Sequence, residues 1–550
     1  MRLTPLVLSL TLVLGGCSLF GGDDGASSTP QAEEAESSAL PLRDVDRTSR
    51  RDVAAGGTLR LATPVLPANL NPWQVDGLRD DAADLLEPTT GQVVRLDDRG
   101  GWTVDRDHAR SVRVVKRSPL TIAVQLNPEA RWQDGKPVES RDMVAFARAL
   151  SGRDSAFQVG STDGWDDVGR VERRGRFGYR VVFSQSRSDW PRFVSPRLPR
   201  SVSSSARTFN RGFTGRAVPS NGPFVVSRVE RRTGTLTMTR NPRWWGTTPR
   251  LARIQVRVAA PDVAVKALAA GELDAATLTE DTVQDAPDDD VTVRRSAGTR
   301  ITQLTLNGGR GALRDAAVRR AVALAVDRGA LARRQATALG TRPVVASSLL
   351  VAPGQPGYRA ATATAPDLDA ARKTLRAAGY RVGDRTTKDG RPLRLRLPVP
   401  SDDPVAARRA ATIARSLAAV GIEVRRSEVK AADYYTSVLV PLDFDLALIT
   451  WDASPLGVAS AEARFRPVTS PLNFTGRSDG HAAAWTRASR EQSTKARRAA
   501  VRRLDRALLG DRVALPLLGQ PQVVAVSDEV ANYGVSAGSP LDWTAVGIRE

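Results

Sequence analysis

The stretch 219-PSNGPFVVSRVERRTGTLTMTRNPRWWG-246 is the one around which the rest of the chain is organised. Asn221-Gly222-Pro223 is a turn, because Gly relaxes the backbone and Pro fixes φ. Phe224, Val225, Val226 and Val229 follow as a largely β-favouring run, and Arg231-Arg232-Thr233-Gly234 makes a polar loop. Leu236 and Met238 then alternate with Thr235, Thr237 and Thr239, the period-two pattern of a half-buried strand. Asn241-Pro242 stops it, and Trp244 and Trp245 form an aromatic plug. The stretch is a β-hairpin with a stop signal, a unit that many folds can hold.

Working outward, residues 57–62 read as a strand with Leu59 and Leu61 on one face, and Leu70-Asn71-Pro72-Trp73 follows as a loop. Residues 120–126 alternate cleanly. The Asp134-Gly135 turn and Pro137 block pairing beyond them. Ser140 is placed to cap a helix over 141–150, with Met143, Phe146 and Leu150 on one side. After the hairpin, Ile254, Val256 and Val258 give a strand, Asp262 caps a short helix closed by Gly271, and 272–276 return as a strand. That unit reads as a βαβ crossover and implies parallel pairing. Residues 302–307 form a strand, and 313–338 are helical with a break or recap at Asp327-Arg328. Helices over 369–378 and 403–420 neighbour strands near 393–397 and 422–424. Residues 444–451 are a buried strand that delivers Trp451-Asp452-Ala453-Ser454-Pro455 to a loop, and 515–518 and 523–526 are late strands. Strands and helices mix throughout without a fixed-period repeat, so the fold class is α/β.

At least six ordered motifs in these segments resemble the family 5 extracellular solute-binding proteins, which serve ABC importers of peptides, nickel and related solutes. Among them are Gly222-Pro223-Phe224 with Arg240-Asn241-Pro242-Arg243-Trp244-Trp245-Gly246, and Trp132-Gln133-Asp134-Gly135-Lys136-Pro137-Val138 ahead of Asp142-Met143-Val144. Others are Ala267-Leu268 with Gly271-Glu272-Leu273-Asp274, and Arg314-Asp315, Val318-Arg319 and Asp327-Arg328. The wording at 127–132 and 164–168 is similar to an actinobacterial lipoprotein branch, one mycobacterial member of which is associated with envelope glycolipid synthesis rather than uptake. The resemblance implies a two-lobed periplasmic-binding-protein-like fold (type II, cluster C-like) with an extra subdomain in the first lobe. Residues 57–95, 217–300 and 515–550 would form lobe I, 96–216 its subdomain, and 301–514 lobe II. It also implies a ligand in the cleft between lobes, with Trp451 at the end of a cleft-facing strand. In peptide-binding relatives an Asp three residues after the matching Trp grips the peptide's amino group. Here Ser454 holds that place, and the nearest carboxylate is Asp452. Asn71, Trp73, Asn221 and Asn307 complete the candidate set.

The bulk numbers agree with an exported receptor. Net charge is +20 from 80 basic and 60 acidic residues, and all but seven of the basic ones are Arg. They are dispersed, without the clustered patch or module that nucleic-acid binding needs, so only nonspecific attraction to an anionic envelope is expected. Cys17 is the sole cysteine and His108 and His481 the only histidines, which leaves no intramolecular disulfide and too thin an inventory for a metal site or cofactor. Arg2, the apolar run 6–14 and Leu14-Gly15-Gly16-Cys17 read as a signal peptide over 1–17 with a resemblance to the bacterial lipobox, whose cysteine is lipidated. Residues 18–56, poor in large apolar side chains, read as a tether with a reach on the order of 35 Å. Two G-x-S-x-G strings, at Gly476–Gly480 and Gly534–Gly538, lack the strand before and helix after that a nucleophile elbow requires, and no P-loop is present. The expectation is a non-enzymatic, monomeric receptor, lipid-anchored on the outer face of the cytoplasmic membrane, that delivers an oligopeptide or related solute to ABC permease subunits. The alternative is a regulatory or scaffolding lipoprotein of the same fold, acting in cell-envelope glycolipid synthesis without transport.

Overall fold

The computed structural model describes residues 40–79, 81–360, 365–453, 456 and 458–550; the leader with Cys17, most of the tether and Ser454 lie outside the described residues. Residues 39–550 make one compact unit. Within it the hairpin forms as its alternation requires. Strands Phe224–Glu230 and Thr235–Arg240 pair antiparallel, with Leu236 and Met238 fully buried. They continue into a four-stranded sheet through Arg253–Val258 and Thr58–Thr63, and this last pairing is parallel. The two Trp of the plug close on His108, with ring centroids 5.6 and 5.3 Å away, while His108 Nε2 lies 2.9 Å from the Asn221 carbonyl. The end of the hairpin is thus fastened to the segment that leads into strand Ala109–Arg117.

A second sheet, antiparallel, has the order Ala109–Arg117, Leu120–Leu126, Gly178–Phe183, Val168–Arg173 and is packed by helix Ser140–Leu150. The helix is capped by Glu139 rather than Ser140. Glu139 and Asp142 exchange hydrogen bonds with each other's backbone, a reciprocal box that satisfies two helix-end donors. These elements and the first sheet share one large core that includes Trp132, Phe146, Trp165, Phe183 and Phe224.

The expected βαβ crossover is corrected. Helix Pro261–Ala269 starts on Pro261, not on an Asp262 cap, and strand Ala275–Thr277 joins a different sheet, antiparallel to Ala514–Ser527. A parallel strand–helix–strand unit does occur later. Arg394–Pro400 and Glu423–Val429 pair in parallel around helix Pro404–Ala418, whose Asp403 side chain accepts from Ala406 N at 2.8 Å. It packs with helices Ala316–Ala325 and Arg328–Leu339 into a second core of Leu, Val, Ile and Ala.

Two long strands run through both cores. Val291–Leu306 and Ala514–Ser527 pair antiparallel along most of their length. Val524 and Val526 sit in the first core, whereas Leu304, Leu306, Leu517 and Leu518 sit in the second. Each was expected as shorter pieces. Their register breaks between Ser296 and Arg300, where Gly298 adopts φ +68°. A Cβ there would meet the Gln520 carbonyl oxygen at 2.2 Å, so only Gly fits. The end of the expected tether is also corrected. Arg43–Val45 pairs with Gly534–Ser536, and Val53 is fully buried, because Val45 and Val53 follow a run of small polar residues with apolar anchors.

Candidate functional site

Strand Leu446–Asp452 lies at the edge of the long-strand sheet and pairs Trp451 with Ile301 and Asp452 with Arg300. Leu446 and Ala447 are buried, whereas Trp451 is half-buried and Asp452 exposed, so the strand carries its last two side chains out of the core. One face of the Trp451 ring stacks on Phe474, at 5.8 Å and 16°. Tyr435, exposed on the far side, meets Phe474 edge-on at 6.2 Å. The Arg464 guanidinium sits 4.7 Å from the Trp451 ring centroid and donates to the Asp452 carbonyl at 2.5 Å. Burial lowers the Arg464 pKa to about 10, with Asp452 and Asp163 opposing that shift. A desolvated guanidinium over an aromatic face is held by the ring's quadrupole and keeps donors for an anionic or carbonyl group.

Facing this strand end are carboxylates carried by the first core. Asp81 lies 4.0 Å from Arg300. Burial raises the Asp84 pKa, and the charges of Asp81 and Asp452 raise it further, against the single cation Arg300. Asp163 is raised by burial as well, although Arg187 opposes. The Arg187 guanidinium is buried and tied to Asp189 at 2.8 Å and Asp167 at 2.7 Å. Burial works against its charge, and those carboxylates hold it charged above the usual range. The loop around it touches the other side of the cleft directly, with Ser188 N donating to the Ser489 carbonyl at 2.8 Å and Gln492 Nε2 donating to the Arg187 carbonyl at 3.0 Å.

Trp73 sits in the same first-core wall, edge-on to Phe146 at 5.2 Å and to Trp165 at 6.4 Å. Over its ring, 5.8 Å from the centroid, lies Arg197, which donates to Gln92 Oε1 at 2.6 Å. Among the described residues Arg197 has no carboxylate within ion-pair distance. Its pKa falls to about 10 through burial, aided by the charge of Arg192. An enclosed cation without a counter-ion is costly unless something else supplies the anion.

The three Asn of the candidate set are placed otherwise. Asn71 is fully buried, donates to the Phe209 carbonyl at 2.9 Å and accepts from Trp73 N. Asn221 accepts from Gly91 N at 2.9 Å. Asn307 donates to the Leu442 and Phe444 carbonyls, both at 3.1 Å, and accepts from Gly309 N. These amides satisfy backbone groups in tight turns and strand ends, where an unpaired peptide group would be expensive. The G-x-S-x-G strings fare similarly. His481 Nε2 pairs with Asp511 at 2.9 Å, and Ser536 Oγ donates to Asp98. Arg464, Arg197, Phe474, Asp84 and Asp163 were missed in the sequence. Only their placement across the cleft singles them out.

Residues 106–465 match the family described as bacterial extracellular solute-binding proteins, family 5 Middle. The chain belongs to that family. It is 31% identical over 568 residues to the oligopeptide-binding protein OppA of Mycobacterium tuberculosis, covering 99% of this chain and 93% of that protein. It is 25% identical over 362 residues to a protein of the same organism named as a probable monoacyl phosphatidylinositol tetramannoside-binding protein, LpqW, covering 58% of this chain and 55% of that one. The solved structure of a periplasmic EDTA-binding protein, EppA, superposes with a TM-score of 0.84 at 21% identity, covering 93% of this chain and 99% of that one. The fold is therefore the two-lobed solute-binding fold. The chain is a solute-binding protein of the kind that delivers ligands to ABC importers, and its family is one of substrate binding rather than catalysis. The near full-length match to OppA and the partial match to LpqW leave the glycolipid-regulatory alternative unfavoured.

Proposed function

We propose that the cleft takes a zwitterionic solute of the oligopeptide class. The observation that carries this is the Phe474–Trp451–Arg464 stack facing Asp84, Asp163 and Asp452. Asp81, Asp84 and Asp452 are crowded around one exposed cation, Arg300, so an ammonium group would relieve their mutual repulsion. Arg464 and Arg197 are desolvated cations that a carboxylate would complete. Trp451, sandwiched between Phe474 and Arg464, holds that guanidinium at the cleft and offers the ligand its edge. Asp452 and Asp84 thereby do the work that an Asp at the place of Ser454 does in peptide-binding relatives. Trp73 lines the first-lobe wall beneath Arg197. The name of the OppA relative supports the same ligand class.

In this reading Cys17 carries the lipid anchor. The receptor works as a monomer outside the cytoplasmic membrane, and the closed lobes dock on the permease. The proposed lobe I is 57–95, 217–300 and 515–550 with the subdomain 96–216, and lobe II is 301–514; Leu517 and Leu518, which pack in the core of Leu304 and Leu306, favour giving 515–518 to lobe II. Native mass spectrometry of residues 39–550 tests the ligand class. A co-purified peptide or amino-acid derivative, lost in Trp451→Ala, is the expected result. A ligand without a basic or acidic group, or one retained at full occupancy by Trp451→Ala, overturns the reading.

A further inference from the structure

Away from Trp451, a cavity of about 260 Å³ opens between the turn 97–101 and the start of helix Thr494–Asp511. Its volume is just under the roughly 300 to 1,000 Å³ of drug-sized sites, which suits a small ligand or fragment. One wall is apolar, with Leu350, Val351, Val458 and Val501. The other holds Arg99, Arg497 and Arg498. Among the described residues none of these three guanidiniums has an ion pair or a side-chain hydrogen bond. The carboxylate of Asp97 also lines the cavity, and its Oδ1 is engaged by its own turn, accepting from Arg99 N at 2.9 Å and Gly101 N at 2.7 Å.

The helix makes the excess charge more costly. Its first turn carries no acidic residue, and the positive end of its dipole points the same way as Arg497 and Arg498. Burial, and after it the charge of Arg498, pulls the Arg497 pKa down, while Asp189 and Glu491 act on it only from a distance. Three guanidiniums without an ion pair against one carboxylate, a helix N-terminus and an apolar wall around one half-open cavity describe a receptor for an anion with a hydrophobic tail.

We propose that this cavity is a second binding site, separate from the Trp451 cleft, for a small amphiphilic anion. Its carboxylate or phosphate head would lie among Arg99, Arg497 and Arg498, and its short aliphatic chain on the Val458–Val501 wall. Because the turn belongs to one lobe and the helix to the other, the bound anion links the two. The head could belong to a free small anion or to the anionic end of the solute in the main cleft, and the proposal commits to the first.

The test is isothermal titration of residues 39–550, the compact unit holding both cores, with hexyl phosphate and hexanoate, using hexanol and hexylammonium as neutral and cationic controls. Both anions bind, hexanol and hexylammonium bind at least tenfold more weakly, and affinity falls as salt is raised. Arg497→Gln/Arg498→Gln loses at least tenfold for the anions. Arg99→Gln, on an exposed turn that the fold does not need, loses severalfold with an unchanged unfolding midpoint. Trp451→Ala binds both anions as the wild type does. Anions that bind no better than hexanol overturn the proposal. So does an unchanged affinity in Arg99→Gln together with the double variant. Loss of anion binding in Trp451→Ala shows instead that the cavity is an arm of the main cleft, and it too refutes a separate site.

Discussion

Glu87→Gln should make the protein more stable at pH 8 and leave it nearly unchanged at pH 4.5. Glu87 lies in a short helical turn beside the Asp84 segment of the cleft, and its Oε2 accepts from Trp543 Nε1 at 2.8 Å, pinning the C-terminal tail there. Burial pushes its pKa from 4.5 up to about 7, the nearby Asp84 charge adds to this, and the Trp543 and Leu541 hydrogen bonds and Arg43 oppose it. Tyr533 is the other titratable group that feels it, with its own pKa raised by burial and by Glu87. Between pH 4.5 and 7 the native state binds a proton that the unfolded chain releases. Stability therefore falls as pH rises through that window, and the whole cost is present above it. Below pH 4.5 both states are protonated and the group contributes nothing. A shift of about 2.5 units corresponds to about 3 kcal/mol.

The glutamine cannot ionise, yet its oxygen can still accept from Trp543. Urea unfolding of wild type and variant at pH 4.5 and pH 8, followed by tryptophan fluorescence, gives two stability differences. Subtracting one from the other cancels any change in neutral packing and the titration of groups that do not interact with Glu87. The expected result is a gain for the variant at pH 8 about 2 to 3 kcal/mol larger than at pH 4.5. Equal differences at the two pH values would refute the argument that burial, rather than hydrogen bonding, controls Glu87.

Gly298→Ala should destabilise by about 2 kcal/mol or more, since it places a side chain in the left-handed region and against the Gln520 carbonyl; equilibrium unfolding within 0.5 kcal/mol of wild type, on the order of ordinary surface changes, would show that the strand pair accommodates it. Arg187→Met strands the buried Asp189 carboxylate and should cost about 3 to 5 kcal/mol at neutral pH; a loss on the order of 0.5 kcal/mol, that of an ordinary surface change, would show that the pair does not hold the loop. A protein beginning at Arg51 lacks the Arg43–Val45 strand and the Asp44 contacts to Arg294 and to Arg295 N, and should melt below one beginning at residue 39; identical melting curves would mean the strand adds nothing.

The limits of the sequence reading follow from where its signals came from. Strand alternation at 120–126 and 235–240, the Asp403-Pro404 helix start and the Asp327 recap at Ala330 N are local, and the structure places all of them close to their expected positions. The 16-residue strand Val291–Leu306 was read only from residue 302, because Arg294-Arg295-Ser296 and Gly298 break the apolar alternation just where the register shifts. The βαβ reading failed because nothing within 253–276 says which sheet receives Ala275–Thr277; Ala514–Ser527, some 240 residues on, does.

The site was harder still, for a related reason. The motifs that carry the family resemblance hold residues such as Asn71, Asn221 and Asn241, and these side chains tie backbone groups in turns. A fold demands such ties at fixed places whatever it binds, so the motifs identify the scaffold and are silent on the ligand. The groups free to meet a ligand are arginines and aspartates scattered over a chain in which arginine is abundant, and Arg464 differs from its many neighbours only after folding sets it on Trp451. What distinguishes Arg464, Arg197 and Arg497 is that, among the described residues, no carboxylate is hydrogen-bonded to their desolvated charge. That property belongs to the assembled cleft, and it is why the ligand chemistry argued above rests on unneutralised charge rather than on any motif.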